Sequence, residues 1–234
     1  MNSERWISLR RNMRARLAAL VCVLFLILGQ ARSVYAEQES ANVYHRHENG
    51  EMKIALTFDD GPHPILTPKI LDILERYQVK ATFFLVGENV KNYPYIVERI
   101  LREGHELGNH TYTHDRIDLD EIEACEKAIY ELTDYKTKLF RPPEGFINRS
   151  IKSASSALGY DIILWSIDTR DWAHTPPALI CEKVISTISS GSIILMHDYI
   201  SYNSPTPEAL EELIPLVLNL GYRFVPVSEL IGTK

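Results

Sequence analysis

The sequence predicts an α/β protein built as a (β/α) barrel of seven or eight units in one domain. Three observations point there. From residue 51 onward, apolar β-rich runs alternate with segments of helical periodicity, the pattern of parallel strands covered by helices. Seven such units in one core favour a barrel over an open sheet, and no GxGxxG or P-loop supports a nucleotide-binding alternative. Five of the seven runs end in charged or ligand-type residues, which a barrel gathers at the C-terminal rim of its strands.

The chain has 234 residues, enough for one good core. Residues 1–36 differ in kind from the rest. Arg5, Arg10, Arg11, Arg14 and Arg16 precede or flank the run LAALVCVLFLIL, and Val34-Tyr35-Ala36 closes the segment. A basic start, a short apolar stretch and small residues before a cleavage point read as a signal peptide. An uncleaved anchor is the rival reading, although a bilayer span needs about 20 apolar residues. Either way the expected location is extracytoplasmic: secreted, or at the cell-wall face of the membrane. Residues 37–50, EQESANVYHRHENG, are polar and read as a linker with His45 and His47 solvated. Residues 51–234 are expected to form the single folded domain.

In that domain the expected strands are 52–58, 81–86, 106–109, 138–141, 161–167, 192–197 and 222–227. The expected helices are 66–77, 94–103, 118–135, 148–158, 177–189 and 207–220. Ile96, Val97, Ile100 and Leu101 repeat at helical spacing. Thr206-Pro207-Glu208 reads as an N-cap, a proline at the first position and an acid in the first turn. Gly159 and Gly221 end two helices, and Pro215 implies a kink in the last. Cys125 falls on the stripe Ile122, Cys125, Ile129, Leu132. Cys125 and Cys181 are therefore read as buried thiols rather than the disulfide that export would permit.

Composition is ordinary for a globular chain, 45% hydrophobic and 24% charged. Without residues 1–36, which hold six Arg and one Glu, 19 basic and 30 acidic residues remain, a net charge near −11. Such a body is a poor partner for nucleic acid or an anionic membrane. No feature points to a protein partner.

The strand ends carry the chemistry. The first run ends in Asp59-Asp60, the third leads to Asn109-His110-Thr111-Tyr112-Thr113-His114, and the fourth ends in Arg141-Pro142-Pro143-Glu144-Gly145. The fifth ends in Asp168-Thr169-Arg170-Asp171-Trp172 and the sixth in His197-Asp198. His110 and His114 stand at i and i+4, which on a helical turn puts both imidazoles on one face, able to share a metal. Thr111 stands where HExxH needs Glu, so the pattern is not a zincin. The third ligand would come from Asp60 or Asp59. Two His and one carboxylate leave positions open for water, as catalytic Zn²⁺ sites do, and also suit other divalent ions. One aspartate can then bind metal while its neighbour accepts a proton; the spacing alone allows either order.

TFDDG at 57–61, HTYTH at 110–114, RPPEG at 141–145, DTRDW at 168–172 and LMHD at 195–198 together resemble the polysaccharide deacetylases of the NodB-homology type, carbohydrate esterase family 4. The resemblance covers about residues 51–230 and its motifs stand in family order. It implies a distorted (β/α) barrel. It implies that Asp60, His110 and His114 bind a metal, usually zinc, with other divalent ions such as Co²⁺ also suited. It implies Asp59 as general base, Arg141 as its partner, His197 as general acid and Asp171 as the residue that orients it. Trp172 and Leu195 would flank the acetyl methyl, and the backbone N–H of Glu144 would help hold the oxyanion. Glu144 stands where the family often has Tyr, which adds a carboxylate near the groove. The expected substrate is an N-acetylated polysaccharide, peptidoglycan first and chitin oligomers next, with acetyl xylan esterase activity or a non-catalytic glycan-binding relative as alternatives.

Arg141 before two prolines reads otherwise as a turn residue, and Trp172 as core filler. His63 and His105 read as structural, His174 as loop, and Asp198 as a partner for backbone near the rim. Asp168 has no assigned role. A glycosidase would also use two carboxylates in such a barrel, but would leave the His110/His114 pair unexplained.

Overall fold

Which side chains reach the site is decided by alternation along one central strand. The structure, a computed structural model, describes residues 41–48, 50–199 and 203–233. The expected signal segment, 1–36, lies outside the described residues. One parallel sheet holds β1 Val43–Tyr44, β2 Lys53–Asp59, β3 Thr82–Leu85, β4 Glu106–Asn109, β5 Leu139–Phe140, β6 Asp161–Ile163, β7 Ile167–Asp168, β8 Ile193–His197 and β9 Arg223–Phe224. Its path is β1-β6-β5-β4-β3-β2-β8-β7, with β9 joined to the start of β2. No ladder joins β7 to β1 among the described residues, so the (β/α) barrel is distorted and open along that seam.

Helices α1 Leu66–Arg76, α2 Gly87–Asn92, α3 Pro94–Arg102, α4 Leu119–Thr133, α5 Arg149–Leu158, α6 Pro177–Thr187 and α7 Thr206–Asn219 accompany the strands, and α8 Val227–Ile231 follows β9. The expected barrel is thus the observed one, with three corrections. The run 161–167 is two strands, interrupted at Leu164-Trp165-Ser166. The polar segment before residue 51 contains β1, and His47 N–H donates to Gly191 O at 2.9 Å, so it is not a free linker throughout. Helices α2 and α8 were not expected; six and five residues are too few to show a helical period. Helix α7 holds Pro215 in its interior, as expected; Pro215 has no N–H to offer the Glu211 carbonyl, and that oxygen accepts the Tyr77 hydroxyl at 3.3 Å.

In β2, Ile54, Leu56 and Phe58 pack with helical residues such as Ile70, Leu74 and Leu213. Ala55 points the other way, into a cluster with Phe84, Leu139, Ile163 and Ile193 from strands around the barrel and Val225 just past β9. Thr57 and Asp59 are in phase with Ala55 and therefore face inward. Helix α8 adds Val227, Leu230 and Ile231 to the inner cluster. It seals the N-terminal end of the barrel: Val227 N–H donates to Thr82 Oγ1 at 3.0 Å and Ser228 N–H to Glu106 Oε2 at 3.1 Å. At the other end the register sets Asp59 level with His197, and Asn109 level with Leu85 and Phe140. Cys125 and Cys181 are buried free thiols, as the apolar stripe predicted.

Candidate active site

Strand alternation would send Asp59 inward and Asp60 to the helices. Asp59 obeys it and is buried. Asp60 escapes because its backbone turns left-handed, φ 76°, as the strand ends. Gly61 follows where no side chain fits: a Cβ there would lie 2.1 Å from the Asp198 carboxylate. That carboxylate is buried, accepts the Thr67 hydroxyl at 2.6 Å, and burial raises its pKa to about 7 despite the Thr67 hydrogen bond. Asp198 N–H also donates to Asp59 O at 3.2 Å. His63 is structural, as expected: its Nδ1 accepts the N–H groups of Ile65 and Leu66, at 3.2 and 3.1 Å, at the start of α1. His105 is buried likewise, with Nδ1 accepting Ala81 N–H at 3.2 Å.

The His110–His114 segment is not the helical turn that its spacing predicted. Thr111 and His114 have φ of 68° and 69°, outside helical space, so the chain coils back on itself. Side chains fix the coil. Asn109 Oδ1 accepts Thr111 N–H at 2.9 Å, and Glu121 Oε2 accepts both Thr113 N–H and Oγ1–H, at 2.7 and 2.8 Å. The result still converges the two rings, with centroids 5.0 Å apart. His110 Nε2 and His114 Nε2 each lie 3.3 Å from Asp60 Oδ1.

This triad suits a metal. Its ligand atoms lie within 4.8 Å of one another, and Asp60 Oδ1 is buried without a hydrogen bond. His110 Nδ1 lies 2.6 Å from Arg141 O, which can only accept, so Nδ1 carries a proton and Nε2 offers its lone pair to the triad. Burial disfavours a charged His110, yet Asp59 and Asp60 outweigh it and raise its pKa. The pocket therefore attracts positive charge. Asp59 is kept apart by a different partner. Arg141 Nη1 donates to Asp59 Oδ1 at 2.7 Å, while Oδ2 faces the triad, 3.8 Å from His110 Nε2.

Arg141 is fully buried inside the barrel, so it is not a surface turn residue. Its other donors reach Thr57 Oγ1 at 2.8 Å, Ile163 O at 3.0 Å and Leu164 O at 3.1 Å. The guanidinium lies 4.1 Å from the centre of the Phe84 ring. Across the cavity, His197 Nδ1 meets Asp171 Oδ1 at 2.8 Å. Burial works against the charged imidazole, but Asp171, with Asp59 and Asp60 behind it, lifts the His197 pKa to about 9. Thr206 does not cap α7 with its side chain; the hydroxyl turns instead to Asp171 Oδ2, 2.7 Å away.

Asp59, Asp60, His110, His114, Glu144, Leu195 and His197 all line one cavity of about 470 Å³, as does Trp172. Glu144 is exposed with φ 57°, and Trp172 is 49% exposed rather than core filler, with the Arg170 guanidinium 5.4 Å from its ring centre. Arg141 and Asp171 lie behind the wall, each through its hydrogen bond. Residues 46–163 match the family model described as polysaccharide deacetylase. The chain belongs to the polysaccharide deacetylase family. A peptidoglycan-N-acetylglucosamine deacetylase of Bacillus cereus is 41% identical over 196 residues, covering 80% of this chain and 91% of its own. The crystal structure of a peptidoglycan N-acetylglucosamine deacetylase in complex with an N-oxidanyl-benzamide has TM-score 0.79 and 36% identity, covering 84% of this chain and 95% of its own. A family 4 acetyl xylan esterase from Clostridium thermocellum, in complex with a cobalt ion, has TM-score 0.70 and 33% identity, covering 77% of this chain and 90% of its own.

Three further residues of this family member line the cavity: Trp165, Asp168 and Tyr199. The reading of the sequence missed Trp165 and Tyr199, and left Asp168 without a role. Trp165 stands two residues past the end of β6, within reach of the strand-end rule; it was lost because 161–167 read as one unbroken strand. Tyr199 follows His197 by two residues and packs edge-on to His63, with centroids 4.9 Å apart. His174 is not among the cavity residues and ends a short turn, a loop residue as expected.

Proposed function

We propose that this chain hydrolyses N-acetyl groups on the amino sugars of a polysaccharide, with peptidoglycan N-acetylglucosamine the favoured substrate and chitin oligomers the second. One observation carries the reading. A single cavity presents a two-histidine, one-aspartate triad beside a separate aspartate and a histidine that favours its charged form. Asp60, His110 and His114 would hold a divalent ion, zinc in this proposal. Such an ion supplies Lewis acidity, acidifying water and polarising the acetyl carbonyl. Asp59 takes the proton of the attacking water through Oδ2, because Oδ1 is bound to Arg141. The backbone N–H of Glu144 helps hold the oxyanion, and Leu195 and Trp172 flank the acetyl methyl. An amine cannot leave as an anion. His197, with Nδ1 tied to Asp171, gives its Nε2 proton to the nitrogen as the C–N bond breaks. Acetate and a free amine result. The basic, apolar character of residues 1–36 supports an extracytoplasmic site of action, where such glycans lie.

The pH profile follows from two groups needed in opposite states. Asp59 must be ionised and His197 protonated, so kcat/KM against pH is expected to be bell-shaped. His197 loses its proton as pH rises through its folded-state value, about 9. A cation in the cavity can only lower that value, so the alkaline limb begins no higher. A rate that keeps rising above that pH contradicts His197 as the acid. Glu144→Tyr is expected to keep activity, because only the backbone acts, but to change the ranking of neutral against anionic glycans. An unchanged ranking on a substrate panel removes the carboxylate from specificity.

The experiment for the reaction is acetate release from peptidoglycan, N-acetylated chito-oligosaccharides and acetylated xylan, with glycan length followed in parallel. Acetate from the first two with intact chains is the expected result. Acetate from xylan alone favours the esterase, shortened chains favour a glycosidase, and binding without product favours a glycan-binding protein.

A further inference from the structure

Asp171 is a fully buried carboxylate with four hydrogen bonds. Oδ1 accepts Trp172 N–H at 3.0 Å and His197 Nδ1 at 2.8 Å. Oδ2 accepts His197 N–H at 2.7 Å and the Thr206 hydroxyl at 2.7 Å. Three of these donors lie on the turn or strand that the site already uses. The fourth comes from the start of α7, where Thr206 is fully buried. An ionised carboxylate only accepts, so Thr206 must donate its proton. Its own oxygen then accepts the Ser204 hydroxyl at 3.0 Å. The chain Ser204–Thr206–Asp171 thus points each proton toward one negative charge, an arrangement in which the bonds strengthen one another.

Asp171 itself stands at the start of a short turn. Its turn, Asp171–Ala173, is three residues long and lies between left-handed Arg170 and His174, both with φ 56°. Helix α7 has 14 residues and packs along α1 and α6. We propose that Thr206 is a positioning residue of the reaction: its hydroxyl ties the Asp171 carboxylate to α7 and so aims the His197 imidazole at the leaving nitrogen. This rests on His197 being the general acid. Without the hydroxyl, Oδ2 keeps only the His197 N–H, and a buried carboxylate short of a donor turns toward another partner. His197 Nδ1 follows it, and Nε2 moves off line.

An acid is needed only where the leaving group is poor, which supplies the test. Thr206→Val and Thr206→Ser are compared on an N-acetylated chito-oligosaccharide and on 4-nitrophenyl acetate, whose phenolate leaves unaided. In Thr206→Val, amide kcat is expected to fall about tenfold to hundredfold, the size of one charge-assisted hydrogen bond. KM and ester hydrolysis are expected to stay within about threefold, since neither uses the acid. Thr206→Ser, which keeps the hydroxyl, is expected to restore amide turnover. Equal losses on both substrates, or no loss on the amide, overturn the proposal. Thr206→Ala removes the same hydroxyl and replaces Thr206→Val in the comparison if that variant does not fold. His197→Ala is measured beside them. If it too loses amide and ester turnover alike, the acid reading itself fails; if it loses the amide alone while Thr206→Val loses neither, only Thr206 is excluded.

Discussion

Asp59→Asn is expected to lower turnover by about 10²–10⁴-fold, the range for loss of a positioned general base. The change keeps the shape and the hydrogen bond from Arg141, so the fold is expected to stand. It removes the ability to take a proton, together with the negative charge that faces Arg141. Metal content is expected to be unchanged, because Asp59 lies outside the Asp60–His110–His114 triad. Metal analysis of the purified variant beside its acetate release checks both halves. Loss of the ion with turnover would make Asp59 a ligand and exchange the roles of the two aspartates. Turnover near that of the parent would remove the base.

Arg141→Met is expected to destabilise the protein by about 3–5 kcal/mol, the range for breaking a buried ion pair from one side. The guanidinium is fully buried and all its bonds are internal. Met fills similar space but leaves the Ile163 and Leu164 carbonyls unpaired and Asp59 charged without its partner. Adding Asp59→Asn removes that lone charge. The double variant is therefore expected to be more stable than Arg141→Met alone, and denaturant unfolding of the four proteins in the cycle measures the coupling. Strict additivity would mean that Arg141 and Asp59 do not hold one another.

The barrel was legible because β2, β3 and β8 are apolar runs with clear ends. The site was legible because Asp59, His110, Arg141, Asp171 and His197 each stand at or just after such an end. Even the direction of Asp59 was on the sequence: small or polar Ala55, Thr57 and Asp59 alternate with bulky Ile54, Leu56 and Phe58. What stayed hidden was backbone conformation. Asp60, Thr111, His114 and Glu144 all have positive φ without being glycine, and no periodicity reports that. So the i, i+4 histidines looked helical and are not. Thr206 was hidden for another reason: a threonine before Pro-Glu is a generic helix start, and its partner Asp171 is 35 residues away.

Acetate release from an N-acetylated chito-oligosaccharide by the protein as purified, after chelation and after return of Zn²⁺, tests the central claim most directly. The prediction is one free amine per acetate, loss of release on chelation, recovery with the ion, and no recovery in His110→Ala. Release that survives chelation and persists in His110→Ala would contradict it.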